Sequence, residues 1–485
     1  MASVRKEITK GVFWIAVAKY SGIVVQLLIT AVLARHISPS AFGTIAVAMV
    51  VLQFLNILAD IGIGPAVVQY KQLTRHHLDS LFTLNIYIGI VLSLILYFSS
   101  GLISSYYRDE VLERVCQMMA VVIFFNALNV VPNALMRKDK RFRTIALRTL
   151  FFQVLSGAIA VWGALNDWGI YALLVSPILT SIGVFFVNYY NYPLRLVLKL
   201  SQEAVKTVAS FSVFQFAFSF CNYFSRNLDK LIIGKYFSMS QLGYYDKSYH
   251  LMMLPLQNVT FVIEPVLHPI LSSLQDSKAE LAEKNRKLAV TIANISFPIG
   301  LILYFCGEEI IKIVYGGQWD AAIPVFKILA LSLPLQMILS TIGAVYQAAG
   351  KTNHMFLNGM LNTVVTVAGF LVAAHWGRTI ESMAWAWDIT LFINFFTSYM
   401  ILHTFTLKTS VWPFYYALMP QVINSVMVFI ISVFISAYCE SAGIITSLLA
   451  KMLLIGVMTT ILGCIFHQYR LRDMSMGVKK NLGRE

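Results

Sequence analysis

Charged residues are scarce in this chain: Asp, Glu, Lys and Arg together make up 12% of its 485 residues. Hydrophobic residues make up 58%, and no stretch is polar enough to cover the core of a soluble domain. This composition excludes the two or three soluble domains that the length alone would allow. It indicates instead one unit that crosses a membrane many times.

Motifs of enzymes and metal sites are also missing. The sequence contains no nucleotide-binding P-loop, no serine-hydrolase elbow and no zinc-protease HExxH pattern. No Cys or His pair has the spacing of zinc or iron–sulfur ligands, and the cysteines are scattered: Cys116, Cys221, Cys306, Cys439 and Cys464. We therefore predict no catalytic activity, no metal and no cofactor.

Fourteen apolar segments approach or exceed the roughly 20 residues that a membrane-spanning helix needs. They cover approximately 11–34, 41–64, 80–102, 115–136, 145–165, 169–190, 207–234, 248–271, 288–306, 325–348, 354–374, 381–403, 415–437 and 443–466. Helix is the expected form because lipid offers no partner to a free backbone amide. The sequence thus predicts an all-α integral membrane protein with about 14 transmembrane helices.

Basic residues are distributed unequally between the two sides of these segments. With the amino terminus inside, 25 of the 37 Lys and Arg residues, Arg148 among them, fall in cytoplasmic segments, and seven fall in the opposite loops. This bias places both termini in the cytoplasm and accounts for most of the net charge of +14. The basic run at 137–143 is expected to face anionic lipid and not nucleic acid.

A faint internal repeat connects the two halves of the chain. LARHISPSAFGTI at 33–45 has a copy, IGKYFSMSQLGYY, 200 residues later at 233–245. The gapless matches are Leu28 with Leu228, Ser38 with Ser238, Ser40 with Ser240, Gly43 with Gly243, Ile63 with Ile263 and Pro65 with Pro265, and Arg35 corresponds to Lys235. Each copy lies at a polar turn between two spans, and an even number of spans separates the copies. The copies therefore run in the same direction through the membrane, as in parallel-repeat transporters.

Ionisable residues inside the spans are the candidate functional residues, since charge at membrane depth is costly. Arg226, Asp229 and Lys230 share one helical face, which suits a cationic patch for a pyrophosphate or acidic sugar; an ion network at the membrane interface is the alternative. Lys19 lies inside the first span, where it either faces a cavity or extends to the interface. Lys451, near the end of a segment, is expected to extend to the interface in the same way.

Three acidic residues are candidates for ion coupling or gating: Asp60, Glu264 and Asp388. Glu264 immediately precedes Pro265, so a structural kink is an equally good explanation for that position. Trp385 and Trp387, beside Asp388, are candidates to stack on a sugar, or else anchors at the membrane interface.

Four stretches, in order, resemble one family. They are DIGIGPAVVQ at 60–69, RNLDKLIIGKYFSMSQLGYYDKSY at 226–249, LPLQNVTFVIEPVLHPILSSLQ at 254–275 and YGGQWDAAIPVFKILAL at 315–331. The chain resembles polysaccharide transporters of the MOP flippase superfamily over nearly its whole length. The nearest subgroup is the Wzx-like exporters of lipid-linked oligosaccharide repeat units, including the colanic acid and teichuronic acid exporter type.

The resemblance implies a fold and a cargo. Two six-helix lobes, 1–200 and 201–408, would form a V around a central cavity, with two further helices and a basic tail at 409–485. The cargo would be an undecaprenyl-pyrophosphate-linked glycan, turned over in the bacterial inner membrane for O-antigen, capsule or exopolysaccharide synthesis. Membrane lipids would surround a monomer, and a glycan polymerase and a chain-length regulator are conceivable partners. Arg226, Asp229 and Lys230 match the family pattern, whereas Glu264 replaces the small residue seen at Gly64.

Other classes of function make different demands on the sequence. A peptidoglycan-precursor flippase would differ only in its cargo. A drug/cation antiporter on the same fold would carry more acidic residues in its amino-terminal lobe, where Asp60 is nearly alone. A membrane-bound glycan polymerase or ligase would need a sizeable outer loop, and the largest outer loops here, near 103–114 and 307–324, are short.

Overall fold

The structure is a computed structural model that describes residues 2–70, 72–197, 200–201, 223, 226–272, 277–439 and 443–465. These residues contain no β-strand. The helices of the first part are α1 (Ala2–His36), α2 (Pro39–Asp60), α3 (Ile63–Gln69), α4 (Arg75–Tyr107), α5 (Glu110–Lys138), α6 (Phe142–Leu165) and α7 (Ile170–Asn191). Then follow α8 (226–236), α9 (Met239–Ser272), α10 (Lys278–Phe305), α11 (Gly307–Val314), α12 (Ala322–Leu339), α13 (Ile342–Ala348), α14 (Thr352–Val372), α15 (Ile380–Ile401), α16 (Trp412–Cys439) and α17 (Ile444–Ile465).

Eleven helical segments of the described chain are long and apolar enough to cross a membrane. This confirms an all-helical multi-pass membrane protein. The predicted first and eighth spans lie within α1 and α9, which are not among the eleven, and most of the seventh, 207–234, lies outside the described residues. The count of fourteen therefore stays a prediction.

The chain divides into two compact units. Unit 1 comprises Met1–Gly243 with Val314–Gln318, and unit 2 comprises Tyr244–Ile313 with Trp319–Glu485. In unit 1, α5 packs against α2, α4 and α7, while α6 packs against α1 and α7. In unit 2, α12 packs against both α10 and α15, and the last two helices, α16 and α17, pack on each other and on α10. The predicted boundaries at 200 and 408 follow the sequence repeat and stay a prediction.

A helix of membrane-spanning length confirms the predicted span 41–64, but this helix does not continue to residue 64. α2 ends at Asp60, and Ile61 and Gly62 take left-handed backbone angles, with φ of 38° and 77°, before α3 begins. The Asp60 carboxylate oxygen Oδ1 accepts a hydrogen bond of 2.8 Å from the Gly64 amide, which satisfies one of the free donors at the start of α3. Glycine tolerates the left-handed angle, and this explains why the apolar run bends here.

Both copies of the sequence repeat form the same kind of turn. The Ser38 hydroxyl accepts a bond from the Ala41 amide at the start of α2, and the Ser238 hydroxyl accepts one of 3.2 Å from the Gln241 amide at the start of α9. Serine at this position caps the exposed amides of a new helix. The matched serines thus set where the second helix of each repeat begins.

Candidate functional site

A row of asparagines on α5 forms a polar core in unit 1. Asn126, Asn129 and Asn133 recur at spacings of three and four, which puts them on one face of the helix. Each bonds to a different neighbour: Asn126 donates to Asn56 of α2 at 3.0 Å, Asn188 of α7 donates to Asn129 at 2.6 Å, and Arg148 of α6 donates to Asn133 at 2.7 Å. The sequence prediction missed this row, although NALNVVPN at 126–133 carries the signal.

Arg148 does not lie on the cytoplasmic surface, where its charge was counted. It is in the second turn of α6 and is 8% exposed. Its Nη2 atom meets Asn133, while Nε and Nη1 have no hydrogen-bond partner among the residues that the structure describes. Arg148 is therefore a positive charge held inside unit 1.

The cationic candidates on α8 occupy different environments. Arg226 is exposed, Lys230 is half-buried, and Asp229 is 1% exposed. The Asp229 carboxylate accepts a bond of 2.8 Å from the backbone amide of Lys230. Arg226 is thus the member of the group whose charge is open to the surroundings. Lys19, on α1, is half-buried.

Asp388 lies on α15 in unit 2. Neither carboxylate oxygen is exposed, and neither has a hydrogen-bond partner in the described part of the chain. The neighbouring Trp387 packs inward, with its ring 6.2 Å from that of Phe370 and 5.5 Å from that of Tyr249. Trp385 is 47% exposed, so it does not share the packed environment of Trp387. The third acidic candidate, Glu264, lies in α9, but its side chain is outside the described residues.

Lys451 forms an ion pair inside unit 2, and its predicted extension to the membrane interface stays a prediction. Its ammonium lies 2.6 Å from Oε1 of Glu309 on α11, and the Ser447 hydroxyl donates to the same oxygen at 2.6 Å. Both charged residues are 5% exposed. Burial opposes the charged form of Glu309, but the bonds from Lys451 and Ser447 outweigh it and lower the pKa of this carboxyl. The Glu309–Lys451 ion pair therefore links α17, one of the two last helices, to α11.

Within the described ranges, no group of three or more His, Cys, Asp and Glu side chains is arranged to hold a metal ion. Of these ranges' cysteines, Cys116 and Cys306 are buried thiols and Cys464 is an exposed one. The chemistry that these sites offer is that of charge and hydrogen bonding: cations in unit 1, and in unit 2 a buried carboxylate that accepts no hydrogen bond in the described part of the chain.

Comparison with known proteins links these features to a family. The family described as "Polysaccharide biosynthesis protein" matches residues 32–324. The teichuronic acid biosynthesis protein TuaB of Bacillus subtilis (strain 168) is 24% identical over 432 residues, which are 88% of this chain and 89% of that protein. The succinoglycan biosynthesis transport protein ExoT of Rhizobium meliloti (strain 1021) is 24% identical over 384 residues, which are 78% of this chain and 77% of that one.

A solved structure shares the fold. The lipid II flippase MurJ, in an inward closed conformation, aligns with 96% of this chain and 99% of its own length, with a TM-score of 0.74. Only 15% of the aligned residues are identical, so the likeness is one of fold. The chain therefore shares the helical fold of this structure.

Proposed function

Because this chain belongs to the polysaccharide biosynthesis protein family, we propose that it is a flippase for lipid-linked oligosaccharides. It would move undecaprenyl-pyrophosphate-linked repeat units from the cytoplasmic to the outer leaflet of a bacterial inner membrane, with both of its termini in the cytoplasm. The polymers would be of the O-antigen, capsule or exopolysaccharide class. Its relatives act in polysaccharide biosynthesis, one of them by name in transport, and the role is that of a transporter and not of an enzyme.

The observation that carries this proposal is the extent of the likeness. The relatives match most of this chain and most of their own length, and the flippase fold covers 96% of the chain. A second domain that would perform a different reaction would have to fit in the small remainder. Eleven apolar helices in the described ranges agree with this assignment.

The cargo itself sets the mechanism. A glycan and a diphosphate cannot cross hydrocarbon unaided, because their polar groups lose their hydration there. The polyprenyl tail can stay in lipid while the head group passes through a cavity between the two lobes, 1–200 and 201–408. Rocking of one repeat against the other exposes such a cavity first inward and then outward. The helices of 409–485 pack alongside the second lobe.

We assign the diphosphate to the cations of the seventh span. The exposed guanidinium of Arg226 suits a diphosphate because it can bind two oxygens at once, and half-buried Lys230 adds a second positive charge. Buried Asp229 holds the backbone at Lys230 in place, and Lys19 adds a cation in the first span. Trp387 and Trp385 are the aromatic surfaces proposed to meet the sugars.

For ion coupling we favour Asp388 over Asp60 and Glu264. The buried carboxylate of Asp388 accepts no hydrogen bond in the described part of the chain and so can take up a proton or a sodium ion, whereas one oxygen of Asp60 already accepts a bond from the Gly64 amide. Glu264, at a proline in α9, is the candidate for gating. A monomer in membrane lipid that passes its product to a glycan polymerase and chain-length regulator completes the proposal.

A flippase for peptidoglycan precursors is the second candidate, because the lipid II flippase shares the fold. It differs in its cargo alone. The two candidates predict different phenotypes, since loss of lipid II transport stops cell-wall growth.

Deletion of the gene tests the function. We expect viable cells that lose the surface polysaccharide and accumulate diphosphate-linked repeat units on the cytoplasmic face, where an impermeant glycosidase cannot reach them in intact cells. A plasmid copy of the gene should restore the polymer. Normal polymer levels in the deletion strain, or lethality with trapped lipid II, would contradict the proposed cargo.

A further inference from the structure

The first turn of α2 and the first turn of α9, both in unit 1, meet at two glycines with no room for a side chain. A methyl group placed on Gly43 of α2 would lie 1.8 Å from the backbone oxygen of Met239, and one on Gly243 would lie 2.1 Å from the backbone oxygen of Pro39. Both distances are far below van der Waals contact, and the obstructing atoms are backbone, which cannot turn away. The contact is therefore backbone on backbone and requires glycine at both positions.

The contact is reciprocal, and its symmetry is that of the sequence repeat. Gly43 faces Met239 and Gly243 faces Pro39, so each glycine meets the residue four positions before the other. Residues 39 and 239, like 43 and 243, are 200 apart, which is the offset of the repeat. The start of the second helix of one repeat thus packs on the start of the second helix of the other, around a local two-fold axis.

Polar contacts surround the glycine pair on the side predicted to be outside. The Lys235 ammonium donates to the Tyr106 backbone oxygen at 2.7 Å and lies 3.7 Å from the centre of the Tyr106 ring. The Gln318 amide donates to the backbone oxygens of Ala34 and Ile37, and so it caps the carboxyl-terminal end of α1.

These contacts repeat the reciprocity of the glycines. The end of the first helix of each repeat, near Ala34 or Lys235, meets a residue of the other repeat: Gln318 in the turn after α11, or Tyr106 in the last turn of α4. Polar contacts from both repeats therefore surround the glycine pair.

We propose that Gly43 and Gly243 form a reversible seal that closes the outer side of the substrate path and separates when the path opens outward. This inference rests on the proposed transport function. A glycine contact suits a reversible seal, because backbone meets backbone at Gly43 and Gly243 and neither glycine has a side chain that must be withdrawn when the helices part. Small residues let helices in a membrane approach closely, and the contact ends as soon as the backbones part. A fixed packing contact would instead stay closed throughout transport.

A buried reporter on α2 can follow the seal. Val47 is 1% exposed and lies against Gly234 of α8, directly beside the glycine contact. In a variant from which the five natural cysteines have been removed, Val47→Cys provides a single thiol that an impermeant maleimide reaches from outside only when the seal is open.

The substitution Gly43→Leu places a bulky side chain between the two backbones and should hold the seal open. We expect it to speed labelling at position 47 at least tenfold and to abolish polysaccharide export, with the protein still folded in the membrane. Gly359→Leu on α14 is the matched control, since this glycine is exposed and a Cβ atom there meets nothing within 4 Å, and it should leave the labelling rate unchanged. Labelling of the Gly43→Leu protein no faster than that of the control would overturn the seal.

A second variant covers the case in which the wedge prevents folding. Lys235→Met removes only the ammonium contacts to Tyr106, and it should speed labelling severalfold. A labelling rate equal to that of the parent protein would contradict the proposal on its own. Labelling needs no glycan, so these results are independent of the deletion phenotype. The proposed seal can hold for a different cargo, and the proposed cargo can hold even when the glycine contact does not open.

Discussion

At the scale of the residue, the Glu309–Lys451 pair shows how a charge is accommodated inside unit 2. A lysine eight residues into α17 is held by a carboxylate at 2.6 Å. Breaking such a pair leaves a buried charge uncompensated, which costs about 3–5 kcal/mol, whereas an exposed pair contributes about 0–1 kcal/mol. The chain contains a matched but more exposed pair nearby on α11, Lys312 with Glu308, also at 2.6 Å.

We therefore expect Lys451→Met to lower the free energy of unfolding by about 3 kcal/mol or more and Lys312→Met by less than about 1 kcal/mol, measured by thermal unfolding in detergent. The pH dependence follows from the lowered pKa of Glu309. A carboxyl with a lowered folded-state pKa contributes stability above its unfolded pKa, and this stability is lost as the pH falls through the folded pKa. The difference between parent and Lys451→Met should shrink over that acidic range. Equal effects of the two substitutions would refute a structural role for the buried pair.

Single residues were the level at which the sequence predicted least. The charges at Lys451 and Arg148 were visible, but their partners Glu309 and Asn133 lie 142 and 15 positions away, and no local pattern links them. Span position suggested an interfacial role for Lys451, and Arg148 was counted among the cytoplasmic charges. Asp60 was singled out as a candidate for ion coupling or gating, which stays a prediction, and its bond to Gly64 is local and could have been anticipated from Gly62, which marks a bend.

At the scale of the element, helix positions were predicted well and helix interruptions were not. The apolar runs at 80–102 and 288–306 lie inside α4 and α10, because hydrocarbon thickness fixes the length of a span. The run at 41–64 is as apolar as these, but it contains the break at Ile61 and Gly62. A hydropathy profile does not detect such a break, because a bend changes the backbone angles and leaves the composition unchanged.

Gly62→Ala tests the bend between α2 and α3. At a φ of 77°, the Cβ atom of an alanine comes too close to the backbone, so we expect the free energy of unfolding to fall by about 1–2 kcal/mol. Gly359→Ala, inside helix α14 and with open space around it, should have the opposite sign and stabilise by up to about 1 kcal/mol. A Gly62→Ala protein as stable as the parent in thermal unfolding would show that the bend is not held as described.

At the scale of the whole molecule, the internal repeat was the most informative feature of the sequence. Its matched residues have matched structural tasks: Ser38 and Ser238 cap helices, and Gly43 and Gly243 make one reciprocal contact. The repeat is also where the halves differ, since Gln26 and Thr30 correspond to Arg226 and Lys230. Arg226 and Lys230 thus have no basic counterpart in the first repeat, which makes them candidates for cargo binding and not for the common scaffold.

Transport by the purified protein tests the central claim most directly. Lipid-linked repeat units recovered from the deletion strain would be placed in proteoliposomes, and an impermeant glycosidase would report how much cargo reaches the outer face. We expect the parent protein to make nearly all cargo accessible, and the Arg226→Gln, Lys230→Gln double variant to do so at least tenfold more slowly. Each lost charge-assisted bond is worth about 1.5–3 kcal/mol, and tenfold corresponds to about 1.4 kcal/mol.

Lys312→Met, which removes an exposed charge far from both positions in the sequence, is the matched control and should transport at the parental rate. Cargo that becomes accessible no faster with the parent protein than in protein-free liposomes would contradict the flippase assignment.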